Sequence, residues 1–362
     1  MTAMGVGIIG AGVISGTYLE NLTRSPEVEV RFIADLDTER AAAQAQAFGV
    51  PHSGTVEQLL ERDDVDVVVN LTIPAAHAEV GRRIVAAGKH VWSEKPLALD
   101  RDSARDLLAA GEAAGVRVAC APDTLLGPGI QTALRAIHRG DIGEPLTATT
   151  MFHVAGPERW HPSPDFLYAP GGGPLLDMGP YYLTTLALAL GPATRVHAVA
   201  STARPERTIA KGPRAGESFP VLVPSHHAAL IEYAGGRSAQ SVFSFQHAFV
   251  RTGVVEINGT EGTLVLPDPN GFGGDSALWR AGDKEPTVLA AGEPTFGRGA
   301  GVIDLVRSIR AGEPERASGA LALHVLDVML GIGEAAAAGG PVEVATTFDP
   351  VPTLPEGWDP TS

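Results

Sequence analysis

The stretch Gly5-Val6-Gly7-Ile8-Ile9-Gly10-Ala11-Gly12-Val13-Ile14-Ser15 is an apolar strand that runs into two closely spaced glycines and then into a helix. Working outward from it, residues 1–125 alternate short Val/Ile-rich runs with helical segments, the pattern of stacked βαβ units around a parallel sheet. Strands are expected at Gly5–Gly10, Val28–Asp35, Val65–Leu71, His90–Glu94 and Val116–Ala121. Helices are expected at Ile14–Arg24, Thr38–Phe48, Thr55–Arg62, Ala75–Ala87 and Ser103–Ala114. The strands are apolar almost throughout, as required when helices cover both faces of a sheet.

Beyond a helix at Ile130–Arg139 the pattern changes. Thr147–Val154, Arg195–Ser201, His226–Tyr233, Ser238–His247, Thr252–Gly259 and Gly262–Leu266 alternate in polarity. Turns at Ala234-Gly235-Gly236-Arg237 and Gly259-Thr260-Glu261-Gly262 join neighbouring runs. The expectation is an α/β Rossmann domain over 1–125, followed over 126–362 by an α+β domain. That second domain has an open, mostly antiparallel sheet and a helix at Tyr181–Leu190. Helical segments within 302–338 are expected to pack back on the first domain. A chain of 362 residues exceeds what one hydrophobic core usually organises, which agrees with two domains.

Composition narrows the function. The net charge of -15 disfavours nucleic acid and anionic membrane surfaces, which are bound through clustered Lys and Arg. We find no apolar run of bilayer length and no signal-like core, so a cytoplasmic location is expected. The single cysteine, Cys120, lies in an apolar run and reads as a small hydrophobe. No His/Cys/Asp cluster has metal-site spacing, and the adjacent His226 and His227 point to opposite faces of a strand.

The glycine motif sits where a dinucleotide fingerprint needs it. Gly10 permits the tight turn, Gly12 lets the backbone approach a pyrophosphate at the helix N-terminus, and Ser15 is small enough for close packing. Asp35 closes the second strand, where a carboxylate accepts hydrogen bonds from ribose hydroxyls and repels a 2′-phosphate. NAD is therefore expected rather than NADP. No arginine follows at once to accommodate NADP, so Asp35 would face a 2′-phosphate without a paired cation, although Arg40, a helical turn on, leaves dual use open.

Ser93-Glu94-Lys95-Pro96 follows the strand ending near Glu94, at the carboxyl edge where doubly wound folds place their ligands. Together with GAGVIS, IADLD, Ile73-Pro74-Ala75-Ala76-His77 and Gly171-Gly172-Gly173 leading to Asp177-Met178-Gly179-Pro180-Tyr181, it resembles the glucose-fructose oxidoreductase/inositol dehydrogenase/MocA family over residues 5–340. The resemblance implies an NAD-dependent dehydrogenase or reductase acting on a secondary carbon of a sugar, inositol or related polyol. It also implies a C-terminal sheet whose open face makes homodimers or homotetramers. Gly10, Gly12, Val13, Ile14, Asp35, Thr72, Pro74, His77, Glu94 and Lys95 become cofactor contacts, and Lys95, Asp177 and Tyr181 the catalytic set. Where most members carry histidine as acid/base this chain has Tyr181, with Tyr182 as the fallback. Pro180 suggests that Asp177 precedes the helix proper.

Asp123 ends another strand at the same sheet edge and is a candidate ligand for sugar hydroxyls. Trp160 and His161, in a proline-rich loop, offer a ring face and a donor of the kind sugars use. With Lys95, Asp177 and Tyr181 these complete the expected substrate contacts. Two other functions remain compatible with the residues: an NAD-dependent glycosidase acting by transient oxidation and elimination, and a non-catalytic NAD-binding regulator.

Overall fold

The computed structural model describes residues 2–361, which divide into two compact units. One comprises the chain up to Gly127 together with Pro294–Leu323 and the stretch from Leu354 onward. The other comprises Pro128–Glu293 and His324–Thr353.

In the first unit, six strands form a wholly parallel sheet: β1 (Met4–Ile9), β2 (Val28–Ala34), β3 (His52–Gly54), β4 (Val67–Asn70), β5 (His90–Ser93) and β6 (Val118–Cys120). Their order is β3-β2-β1-β4-β5-β6. The strand order reverses between β1 and β4, which opens a crevice at the carboxyl edge beside the glycine turn. The crossover helices α1 (Val13–Leu22), α2 (Thr38–Phe48), α3 (Val56–Leu60), α4 (His77–Ala86) and α5 (Arg101–Ala114) follow the hydrophobic periodicity of the sequence. Asp37, Thr55 and Asp100 cap three of them, each side chain accepting an amide from the first turn. Strand β3, His52-Ser53-Gly54, has no β-branched residue and lies at the sheet edge, which explains why its sequence reads as a loop.

The second unit opens with α6 (Pro128–Arg139) and strand β7 (Pro145–His153), then α7 (Gly173–Leu190) and β8 (Ala193–Ser201). A short ladder of β9 (Glu206–Thr208) and β10 (Ser218–Pro220) follows, then β11 (His226–Tyr233), β12 (Ser238–Ser244), β13 (Arg251–Gly259), β14 (Thr263–Leu266), β15 (Ser276–Trp279) and β16 (Thr287–Leu289). After α8 (Ala300–Ala311) and α9 (Gly319–Ala338), strand β17 (Val342–Glu343) completes a nine-stranded sheet ordered β16-β15-β14-β13-β7-β12-β11-β8-β17. Only β7 and β12 pair in parallel among its described ladders, so the expected mostly antiparallel sheet is present. Alternate residues such as Phe243, Ile231 and Ile257 face α6 and α7, while Leu230, Val199 and Val288 stand exposed on the other face.

Three sequence expectations need correction. Helix α7 begins at Gly173 rather than Tyr181, so Asp177 lies inside it and Pro180 in its interior. Proline there removes the donor for the carbonyl four residues back, but most of this helix is buried and its packing outweighs that loss. Helix α8 falls in the first unit, whereas α9 from His324 onward falls in the second. Finally, α9 has the length and mean hydropathy, 1.6, to cross a membrane. Its polar groups are tied within the fold: His324 Nε2 accepts from Ala193 N, and Asp327 Oδ2 accepts from Ala345 N and from the amide and hydroxyl of Thr346. It serves as a core helix of this unit, with Gly179 of α7 lying against Met329.

Several histidines are held below their ordinary pKa by burial. His77, His90, His226 and His324 are lowered, and His153 and His227 are pushed to about 4, with nearby histidine charge adding to the effect on these two. Below about pH 6.5 the unfolded chain binds protons that the folded chain does not. The stability these rings contribute is complete above that pH and is lost as pH falls toward 4. Asp123, raised to about 6 first by burial, opposes the trend between pH 6 and 4, but it is one group against six. We therefore predict a melting temperature that declines progressively from pH 7 to pH 4.5. Calorimetric scans showing a flat profile would contradict this.

Candidate functional site

At the end of β1 the chain turns at Gly10 (φ 107°), where a Cβ would lie 2.6 Å from the Leu71 carbonyl oxygen. A Cβ on Gly12 would meet open space, and no side chain caps α1. That leaves a helix N-terminus facing a clear approach, the arrangement a pyrophosphate requires. Ser15 is fully buried, donates to Gly12 O at 2.6 Å and accepts from Gln44 Nε2 at 2.9 Å, so it locks α1 to α2. Val13, Leu36 and Ile73 are bare apolar side chains along this edge. A nucleotide's flat apolar surfaces would cover such residues. The donors, the space and the apolar margin fit a dinucleotide. Ile14, the second residue of α1 behind the turn, is partly buried.

Asp35 is buried and fully engaged. Its carboxylate accepts from Ala11 N at 2.6 Å, from Asp37 N at 2.9 Å, and from Arg40 through Nη2 at 2.6 Å and Nε at 3.3 Å. Burial raises its pKa, but the Arg40 contact and the two amides outweigh that, and the carboxyl is held below its usual range. The expectation that Asp35 stands without a paired cation is therefore wrong. The preference for NAD gains a different basis: the Arg40 fork is spent on Asp35 and is not presented to a 2′-phosphate.

Further along the edge, Asn70 Oδ1 accepts from the Thr72 hydroxyl at 2.7 Å, and Asn70 Nδ2 donates to His77 O at 3.0 Å. His77 is buried, not turned to water. Its Nδ1 lies 2.6 Å from Pro96 O and its Nε2 2.9 Å from Thr72 O, so the ring joins the loop after β4 to the loop after β5. Pro74 opens a single 3₁₀ turn between Thr72 and His77. Glu94 accepts from Tyr18 Oη at 2.9 Å and from Lys95 N at 3.0 Å, and Tyr18 in turn accepts from Trp92 Nε1 at 3.1 Å. Lys95 thus leaves the sheet from a backbone held on both sides, through its amide bond to Glu94 and through the contact of His77 with Pro96 O.

Asp123 is not placed for substrate contact. It is completely buried, and its carboxylate accepts from Gly299 N at 2.7 Å with Arg298 Nη1 at 3.5 Å. It braces the start of α8.

In the second unit, Asp177 and Tyr181 lie one turn apart on α7, the first half-buried and the second buried. Tyr182 is wholly buried, packs edge-on to Phe152 and Phe243, and its hydroxyl oxygen accepts from Gly253 N at 2.8 Å. Burial pushes its pKa well up, so it is core and not the fallback acid/base. Trp160 is exposed and sits edge-on to His161, ring centres 5.5 Å apart; His161 sits likewise against the exposed Phe166 at 5.4 Å. Phe166 was missed by sequence reading; its spacing from Trp160 on an irregular loop carries no periodic signal. Gly172 lets this loop close on the start of α7, where a Cβ would lie 2.4 Å from Phe166 O. No group of three His, Cys, Asp or Glu among the described residues is placed to hold a metal ion.

Fold and site together define a dinucleotide-dependent oxidoreductase with a Rossmann unit and a separate sheet-bearing unit. Residues 4–121 match the model of the oxidoreductase family with an NAD-binding Rossmann fold, and residues 130–265 match the GFO/IDH/MocA C-terminal domain. The chain belongs to the Gfo/Idh/MocA family of NAD(P)-dependent oxidoreductases. It is 32% identical to the 1,5-anhydro-D-fructose reductase of Ensifer adhaerens over 268 residues, covering 72% of this chain and 74% of that one. It is 33% identical to the dTDP-3,4-didehydro-2,6-dideoxy-alpha-D-glucose 3-reductase of Actinomadura kijaniata over 263 residues, 72% and 73% of the two chains. Levoglucosan dehydrogenase, solved with NADH and L-sorbose, shares the fold with a TM-score of 0.81 at 23% identity, over 96% of this chain and all of that one.

Two substitutions test these placements. Asp35→Ser frees Arg40, so NADP affinity should rise roughly 10-fold or more, since a hydrogen bond to a charged group is worth about 1.5–3 kcal/mol. Adding Arg40→Ala should abolish that gain; calorimetric titration of both dinucleotides checks it. Tyr182→Phe should cost about 1 kcal/mol of stability in urea unfolding, the size of one hydrogen bond, while turnover stays near normal.

Proposed function

We propose that this protein oxidises or reduces a secondary carbon of a sugar or polyol, with Tyr181 as the general acid/base and Lys95 assisting it. The observation that carries the assignment is on α7. Asp177 and Tyr181 share one helical face, while the neighbouring phenol of Tyr182 is consumed by the Gly253 amide. Bound NAD supplies or accepts the hydride. Alcohol oxidation also needs a base within hydrogen-bond reach of the hydroxyl proton. A phenol with an ordinary pKa near 10 is a weak base at neutrality, and an ammonium beside it favours the phenolate. Lys95 is the cation for that role, and its backbone is fixed through Glu94 and Pro96. Asp177 orients the substrate hydroxyl.

Trp160 and Phe166 give the second unit exposed ring faces beside the His161 imidazole, suited to the apolar face and hydroxylated rim of a sugar. The relatives are named reductases and dehydrogenases of sugars, which supports net redox chemistry over glycosidic elimination or regulation. We also place a second copy of the chain on the exposed sheet face. That face mixes Leu230, Val199 and Val288 with the ion pairs of Arg195 to Glu232 and Glu343, a composition able to complement itself across a two-fold axis.

Tyr181→Phe keeps the ring and removes the hydroxyl, so folding and NAD binding should survive while the chemical step slows roughly 10²–10⁴-fold. Lys95→Ala should lose at least as much, and the double variant less than the product of the two. Near-normal turnover in Tyr181→Phe, in a screen of inositols, aldoses and anhydro sugars, overturns the assignment. For assembly, light scattering should show a dimer or tetramer, and Leu230→Arg should shift it toward monomer; a monomeric wild type refutes the interface.

A further inference from the structure

A second feature of the loop that carries Trp160 is not used by the chemistry above. Within the second unit, a cavity of about 360 Å³ is lined by Glu158, Arg159, Arg204, Glu206, Arg207 and Thr208. Its inner wall is a buried ionic brace. Arg207 Nη1 donates to Glu158 Oε1 at 2.6 Å and to Ala155 O at 3.0 Å, and Nη2 donates to Phe245 O at 2.9 Å. The other oxygen of Glu158 accepts the Tyr168 hydroxyl. The charge of Glu158 is thereby answered and both of its oxygens already accept a hydrogen bond, whereas Arg207 Nε is buried with no partner. A buried donor left unbonded is costly, so the guanidinium behind the cavity wall keeps donor capacity that the fold does not meet.

The rim adds charge. Arg159 and Arg204 are exposed and form no ion pair among the described residues, in a chain that carries 42 acidic against 27 basic side chains. With Glu158 answered by Arg207, two guanidinium groups face the cavity against the single carboxylate of Glu206. Guanidinium groups only donate, in a planar fork that matches phosphate oxygens, whereas a neutral sugar needs acceptors as well. The β9 ladder that carries Glu206, Arg207 and Thr208 is paired to β10, so the rim is held in place.

We propose that this cavity is an anion subsite that takes the phosphoryl group of a phosphorylated sugar. Arg159 adjoins Trp160 in the chain, so the subsite and the aromatic group belong to one loop. The sugar part of the assignment rests on the function proposed above; the anion part does not.

The test uses the whole protein saturated with NADH, so that the glycine loop is already filled. Inorganic phosphate and a hexose 6-phosphate are titrated by calorimetry into wild type, into Arg159→Gln/Arg204→Gln and into the control Lys211→Gln. Both substituted arginines are exposed, and an unchanged melting temperature confirms that the fold is intact. Wild type and the control should bind phosphate saturably, the sugar phosphate should bind more tightly, and the double variant should weaken both at least 10-fold. No saturable phosphate binding, or binding unaltered in the double variant, overturns the subsite. A sugar phosphate that binds no better than phosphate overturns its assignment to a phosphorylated sugar. Arginine-dependent phosphate binding without turnover of any sugar would instead sink the proposed reaction and leave the subsite standing.

Discussion

One buried carboxylate organises the cofactor edge. Asp35 takes the amide of Ala11 from the glycine turn, the amide of Asp37 from its own corner, and the fork of Arg40 from α2. A carboxylate this enclosed is tolerated only because its lone pairs are met, and the same bonds hold the ends of β1 and β2 in register with their helices. The glycine turn cannot relax without breaking an amide-to-carboxylate bond inside the fold. Rigidity of the kind that pre-organises a binding site comes here from a polar group, on top of the apolar packing of the sheet.

The same principle recurs across the topological switch. Asn70 and His77 knit the loop after β4 to the loop after β5, each using side-chain groups to satisfy backbone or hydroxyl partners that the sheet cannot reach. Trp92, Tyr18 and Glu94 form a relay of hydrogen bonds that ends on the amide of Lys95. A lysine meant to hold one position gains from such a platform, because its long side chain otherwise carries much rotamer freedom to be lost on binding. Residues that read as direct ligands at the sequence level thus divide into those that present themselves to the crevice and those that hold it open.

How much of this was legible follows from what leaves a pattern in the chain. The βαβ units were readable because buried parallel strands and amphipathic helices repeat at fixed periods, and Thr38–Phe48 was read to the residue. β3, β9, β10, β15, β16 and β17 were not, since strands of two to four residues near sheet margins or in the two-stranded ladder carry too few side chains to alternate. Pro180 misled the reading of α7 because a local propensity rule yielded to burial on nearly every side of that helix. The glycines, Asp35 and the Lys95 segment were found by motif, yet the Arg40 partner of Asp35 depends on a rotamer that spacing alone leaves open. Asp123 sat at the right edge of the sheet but faced α8, a segment more than 170 residues away in sequence.

Several polar groups that sequence position alone would place in a site are instead spent on holding the fold together. Tyr182, Asp123 and Glu158 each sit next to a residue or element of functional interest, and each has its polar atoms taken by internal partners. On a helix, consecutive side chains point about 100° apart, so of two adjacent tyrosines on α7 only one can enter the core between Phe152 and Phe243. Tyr182 does so, and its seated ring fixes the rotation of α7 about its axis, with the Gly253 amide bond adding to its anchorage. That rotation determines the direction shared by Asp177 and Tyr181. The core tyrosine therefore orients the helix through packing alone: its ring, seated against Phe152 and Phe243, sets the heading of Asp177 and Tyr181, and Gly179, closed against Met329, lets α7 seat deeply enough for that heading to hold.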